Sequence, residues 1–306
     1  MNKIYALHNQ YLSLVVEQRN HNIPIFKYFG KRLACDDIES SLRLLDSGIE
    51  QGSHDQYVGL PVINTLDSGC FAYRNLVINK ANAYPLINLQ CCNVVQEDNQ
   101  LHIHLKDLAA TIEVEIIFSI NPSGVLCSQI SLLALQDGIQ IQNIASMLPI
   151  PEPLHFMQHF GGSWARELMT FKQEIPKACF SLKNYRGRGS HQHFPGLLLS
   201  NHQNSMASQY VMGVHFAWSG NFEITTDHFQ PGYKTISAGE GLLEGELILN
   251  EGQSYLSPEL LVGISTQGEN GIRAQFHSHA RNIYPEIKAA RPHFNTWEAC
   301  YFEQSA

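Results

Sequence analysis

The chain has 306 residues, room for one large all-β domain or two ordinary ones. Hydrophobic residues at 44% against 16% charged describe a folding globular chain and exclude a disordered one. A net charge of −8 leaves no basic excess for nucleic acid or an anionic membrane, whereas a neutral sugar stays compatible.

In chain order, residues 1–18 hold one lysine, but His8, Asn9 and Gln10 interrupt any apolar core for a signal peptide. No later stretch approaches the roughly 20 apolar residues of a membrane helix. Asp36 or Asp37 is positioned to cap a short helix running through Arg43 and Leu45. Period-two alternation then predicts strands over residues 101–105 and 111–116. Further strands are expected over 126–135, 138–145, 210–218, 222–226, 241–249 and 260–265. Turn residues separate them, among them Asn121-Pro122-Ser123-Gly124, Asp137-Gly138, Ser219-Gly220-Asn221 and Pro231-Gly232. Many short strands with tight turns indicate antiparallel pairing in a sandwich, not a parallel sheet. A helix is expected over residues 271–284, with Ile272, Phe276, Ala280 and Ile283 on one face and Pro285 ending it. Residues 286–292 read as a linker, and the aromatic run after Pro292 as one more strand with nothing left to pair with it.

Seven cysteines, Cys35, Cys70, Cys91, Cys92, Cys127, Cys179 and Cys300, are odd in number and lack zinc-type spacing. They read as reduced thiols in a cytoplasm, mostly buried as small hydrophobes.

Three His-x-His pairs could in principle grip a metal: His102/His104, His191/His193 and His277/His279. The first sits on the polar face of its strand, the last on a helix where i and i+2 diverge, and no third ligand has recognisable spacing. No metal or other cofactor is therefore expected. The stretch from Tyr185 to His193 is the most polar in the chain. It reads as a structural hairpin or, alternatively, as a lip whose Arg186, Arg188, His191 and His193 hydrogen-bond a hydroxyl-rich ligand. Trp164, Trp218 and Trp297 could each stack on a sugar ring; Trp218, within an apolar strand, is expected in the core and Trp164 in a loop. No Asp or Glu is singled out as half of a glycosidase carboxylate pair, so no residue is assigned a catalytic role.

Seven stretches, in order over nearly the whole chain, resemble the N-terminal part of bacterial α-galactosidases of glycoside hydrolase family 36. They are PIFKYFGKRL from Pro24, GGSWARE from Gly161, RGRGSHQHFP from Arg186, WSGNF from Trp218, SPE from Ser257, RAQFH from Arg273 and RPHFNTWEACYF from Arg291. The resemblance implies a large antiparallel β-supersandwich of the galactose mutarotase-like kind over residues 1–284. Residues 285–306 would then be a linker and the first strand of a (β/α)8 barrel. Such a barrel needs about 250 residues, and nine follow Trp297 here. The family's two catalytic aspartates lie on later barrel strands, so no position in this chain matches them.

Family members also tend to carry Asp-Phe-Arg in the first third, on a loop associated with a neighbouring subunit's sugar site. Here the corresponding stretch is Cys70-Phe71-Ala72, without the two charges. The implied whole enzyme is a retaining hydrolase of terminal α-galactosides such as melibiose or raffinose. This chain's own part would be packing on the barrel and building homo-oligomer contacts, through a bare apolar face. The alternatives are a stand-alone carbohydrate-binding sandwich using Trp164 and the Arg186–His193 loop, and a mutarotase-like sugar epimerase. The latter requires a His and a Glu facing one another across a sheet.

Overall fold

The computed structural model describes residues 2–34, 59–65, 72–81, 83, 85–189, 192–203, 209–229, 233–284 and 291–303. The helix expected after Asp36, the Cys70-Phe71 stretch, His191 and most of the linker lie outside the described residues. Among those described, twenty strands form three antiparallel sheets. The first comprises β1 (Asn2–His8), β2 (Leu12–Arg19), β3 (Ile25–Lys31) and β4 (Leu60–Pro61), in that order.

The second sheet has six strands in the order β13 (Phe180–Asn184), β16 (Phe222–Phe229), β17 (Tyr233–Glu240), β10 (Ile139–Pro149) and β18 (Ile248–Leu249). Its sixth, β5 (Leu76–Lys80), also pairs with β10.

The third has ten strands and begins at one edge with β12 (Arg166–Glu174), β11 (Phe156–Ser163), β14 (His193–Ser200) and β15 (Val211–Phe216). It continues through β20 (Leu260–Ser265), β9 (Leu126–Ala134), β8 (Ile112–Ile120), β7 (Gln100–Asp107) and β6 (Leu89–Glu97), with β19 (Ser254–Leu256) beside β9. The two smaller sheets pack on this one, β1 and β3 against β7, β8 and β20, and β10, β13 and β16 against β9 and β14. The all-β supersandwich expected from the sequence is thus the observed fold.

Alternation explains the layering. In β8, Ile112, Val114, Ile116, Phe118 and Ile120 are buried while the residues between them are half-exposed, and β9 repeats the pattern. Fully burying each of these large side chains stabilises the fold by about 1.5–3 kcal/mol. Phe118 meets Phe26 of β3 edge to face at 5.9 Å, which ties the four-stranded sheet to the large one.

Helix α1 (Gly268–Ile283) lies against β20 and β15, on the side of the large sheet that carries Gly213 and Gly263. The stripe read from the sequence holds only in its first half: Ile272 is buried and Phe276 partly so, Ala280 and Ile283 are exposed, and Gln275 is buried instead.

Four expectations are corrected. The aromatic run after Pro292 is not a strand: residues Trp297–Cys300 form a short helix, α2, with Tyr301 N–H donating to the Trp297 carbonyl at 2.7 Å. A strand needs a neighbour to receive its hydrogen bonds, and without one the backbone closes its bonds locally. Of the strand expected over 241–249, only β18 forms, because Leu243 to Glu246 make a turn with Gly245 at φ +79°. Trp218 is not core: β15 stops at Phe216, and the indole, 40% exposed, lies over Gly220, where a Cβ would come within 2.6 Å of Nε1. Finally, among the described cysteines only Cys91 is buried; Cys92, Cys179 and Cys300 are exposed, and all are free thiols.

Candidate functional site

Trp164 occupies the tip of the β11–β12 hairpin and is 84% exposed. The tip is tight because Gly162, at φ +151°, brings its Cα close to the Arg166 carbonyl; a Cβ there would sit 2.1 Å from that oxygen. Ala165 turns the chain at φ +62°, and its N–H donates to Glu167 Oε1 at 2.9 Å. His193 opens β14 and pairs with Gly161 of β11, so Trp164 and His193 reach the same end of the large sheet. The loop that leads into β14 carries Arg186 and Arg188, both exposed.

This loop is held by its neighbours through its backbone. Asn184 donates to the Arg188 carbonyl at 2.5 Å, and Arg186 N–H donates to Asn184 Oδ1 at 3.2 Å. Gly187 N–H donates to Asn221 Oδ1 at 2.7 Å, and Gly189 N–H to the Ser219 carbonyl. The loop is held through its backbone but is not the hairpin read from the sequence, because β13 and β14 belong to different sheets; the guanidinium groups stay at the surface. Trp164 and His193 share one end of the large sheet, whereas Arg186 and Arg188 sit on the connection after β13, which is held against Ser219 and Asn221. Trp297 is separate in its contacts, stacking edge to face with Tyr301 at 5.8 Å and Phe302 at 4.9 Å.

A groove of about 420 Å³ opens between α1 and the sheet, with Phe160, Phe194 and Phe276 as apolar walls and Arg273 and His277 on the helix side. Phe194 lies flat on His215 at 5.4 Å, and burial lowers the His215 pKa. A second cavity of about 370 Å³ is lined by His104, Glu113 and Glu115 on the same sheet. There His102 Nδ1 lies 2.8 Å from Glu115 Oε1, and His104 Nε2 lies 3.9 Å from it. A His–Glu pair across two strands is thus present, as a half-exposed hydrogen-bonded contact at the surface. Among the described residues no group of three His, Cys, Asp or Glu is arranged to hold a metal ion.

Sequence reasoning missed one carboxyl. Glu240, at the end of β17 opposite Phe222, is pushed up to about 7 by burial and then by neighbouring Glu246. Its sequence context carries no signal for this, since both burial and the approach of Glu246 are set by the folded chain. It lines neither of the two cavities described above.

The model for the glycosyl hydrolase family 36 N-terminal domain matches residues 22–250. An α-galactosidase of Escherichia coli is 31% identical over 217 residues, covering 70% of this chain and 31% of that protein. Alpha-galactosidase 2 of Pediococcus pentosaceus is 23% identical over 98% of this chain and 45% of its own length. Among solved structures, the α-galactosidase of Lactobacillus brevis superposes with a TM-score of 0.86 at 19% identity, over 99% of this chain and 45% of that one. AgaA of Geobacillus stearothermophilus gives 0.79 at 20% identity, over 98% and 46%. The chain thus spans between about a third and a half of these relatives. With the motifs running in order and the sheets superposing, the chain belongs to the glycosyl hydrolase family 36 N-terminal domain family.

Proposed function

We propose that this chain is the non-catalytic β-supersandwich of an α-galactosidase-type glycoside hydrolase, inactive alone, whose task is to pack on a catalytic barrel and to build oligomer contacts. The observation that carries the reading is the bare aromatic surface at residues 294–302. Phe294 is 91% and Phe302 89% exposed, with Trp297 and Tyr301 half-open beside them. Aromatic side chains left in water in this number mark a surface that something covers. The family match and the length of the relatives supply the candidate: a domain that follows in those proteins. The free thiols fit a reducing, cytoplasmic setting.

Substrates of the whole enzyme would be terminal α-galactosides; a variant of the AgaA relative has been solved in complex with raffinose. The test is an assay of the purified 306-residue chain with an aryl α-galactoside. No turnover is expected. Turnover that persists through purification and disappears on mutating a carboxylate of this chain overturns the reading.

One observation favours a second reading, a sugar-binding surface. Trp164 stands almost wholly in solvent at the sheet end where His193 opens β14, an aromatic platform near one polar side chain. Calorimetric titration with galactose and raffinose decides it: millimolar or tighter binding, abolished by Trp164→Ala, would establish it.

A further inference from the structure

The pairing of β7 with β8 supplies what the spacing of the histidines in the sequence lacked. His102 and His104 stand at i and i+2 of β7, between buried neighbours, and so share its solvent face. Their rings are nearly parallel, 16° apart in plane with centroids 6.5 Å apart. Glu115 of β8 is directly opposite His104 in the ladder. Its Oε1 lies 2.8 Å from His102 Nδ1 and 3.9 Å from His104 Nε2. A carboxylate thus joins the two imidazoles from the next strand.

The hydrogen bonds of His102 do not balance with a neutral ring. Nδ1 faces Glu115 Oε1 at 2.8 Å, and Nε2 faces Gln100 Oε1 at 3.3 Å. Both oxygens accept, and a neutral imidazole carries one N–H. One contact takes that proton. The other sets a bare lone pair against an acceptor, unless a cation lies between them.

We infer that His102, His104 and Glu115 bind a divalent transition-metal ion of the zinc type on the solvent face of the large sheet. Two imidazoles and a carboxylate suit zinc(II) or copper(II). With its Nε2–H donated to Gln100, His102 keeps Nδ1 as the ligating atom, the usual way a neighbour fixes the tautomer of a metal-bound histidine. Donors each about 2.0–2.1 Å from a tetrahedral ion are about 3.3 Å from one another. The separations of 2.8 and 3.9 Å lie on either side of that value.

As they stand, the three donors do not share a centre. All three side chains are partly exposed, so they can turn onto an ion without disturbing the core beneath. Lys106, on the same face, is paired with Glu113 at 2.7 Å and leaves Glu115 to the histidines. The cavity over His104 and Glu115 also reaches Cys92, the extra residue of the β6 bulge, so a thiol or a water can complete the coordination.

The inference does not depend on whether the whole protein cleaves galactosides. It is tested on the 306-residue chain without an affinity tag, stripped with a chelator and titrated calorimetrically with zinc(II) at about pH 7.5, where imidazole is largely neutral. One ion per chain is expected, with Kd of about 10 μM or tighter. His102→Gln and His104→Gln should each weaken binding about tenfold or more, and Glu115→Gln several-fold. His277→Gln, on α1, should leave it unchanged.

In chelator all four variants should melt with the wild type, and added zinc should raise the melting temperature of the wild type and His277→Gln more than that of the other three. Binding no tighter than about 0.1 mM overturns the inference and leaves a proton alone between His102 and Glu115. Binding that survives in His102→Gln and His104→Gln, or is lost in His277→Gln, overturns it as well, since the ion then sits elsewhere.

Discussion

Gly213 of β15 and Gly263 of β20 stand directly opposite one another in the ladder, beneath α1. A Cβ on Gly213 would come within 2.5 Å of Ile272 Cγ2, and one on Gly263 within 2.7 Å of Gln275 Oε1. The pair makes a flat seat on which the helix rests against the backbone of the sheet. Gln275 uses the contact to donate to the Ile264 carbonyl at 2.8 Å.

Gly213→Val should therefore lift the helix from its seat. A destabilisation of about 1–3 kcal/mol is expected, the usual cost of overfilling a packed interface. Thermal unfolding measures it. A variant as stable as the wild type would mean that the helix is not seated on the two glycines.

Glu240 makes stability depend on pH. Its carboxyl pKa is raised from the ordinary 4.5 to about 7, by burial first and Glu246 second. Between those values the folded state holds a proton that the unfolded chain has released. Stability contributed by this group is then fully present below about 4.5, falls as pH rises to about 7, and is flat above. Glu240→Gln should remove that fall, so its melting temperature should gain on the wild type between about pH 5 and pH 8. Parallel pH dependences for the two proteins would refute the assignment.

Lys234 is buried and donates to the carbonyls of Glu152 and Leu154 at 2.7 and 2.5 Å. Burial lowers its pKa. Lys234→Met keeps the stem but leaves two carbonyls without their donor. The expected loss is about 1–3 kcal/mol by chemical denaturation; an unchanged midpoint would show that water replaces the ammonium.

Trp164→Ala should leave the unfolding free energy unchanged to within about 0.5 kcal/mol, read by chemical denaturation, since the side chain is almost wholly exposed. A larger drop would show that the indole packs on this chain's own surface.

The sequence by itself determined the class of fold. Alternation in residues 101–105 and 111–116, together with dense turn residues, demanded antiparallel sheets, because a period of two buries one face only in a strand. The helix after Gln267 was legible for the same reason at a period near 3.6. The first hairpin, β1–β2, and the exposed strand β12 were not read as strands. RELMTFKQE has no alternation to read, because no face of β12 is buried within this chain.

The tertiary structure alone decided the rest. It brought Trp164 to the same sheet end as His193, half-buried Glu240 near Glu246, and left Trp218 half in water. It also turned the last aromatic run into a helical turn. A residue's own type sets its local preference, but burial, pKa and strand pairing depend on neighbours distant in sequence, which local pattern does not encode.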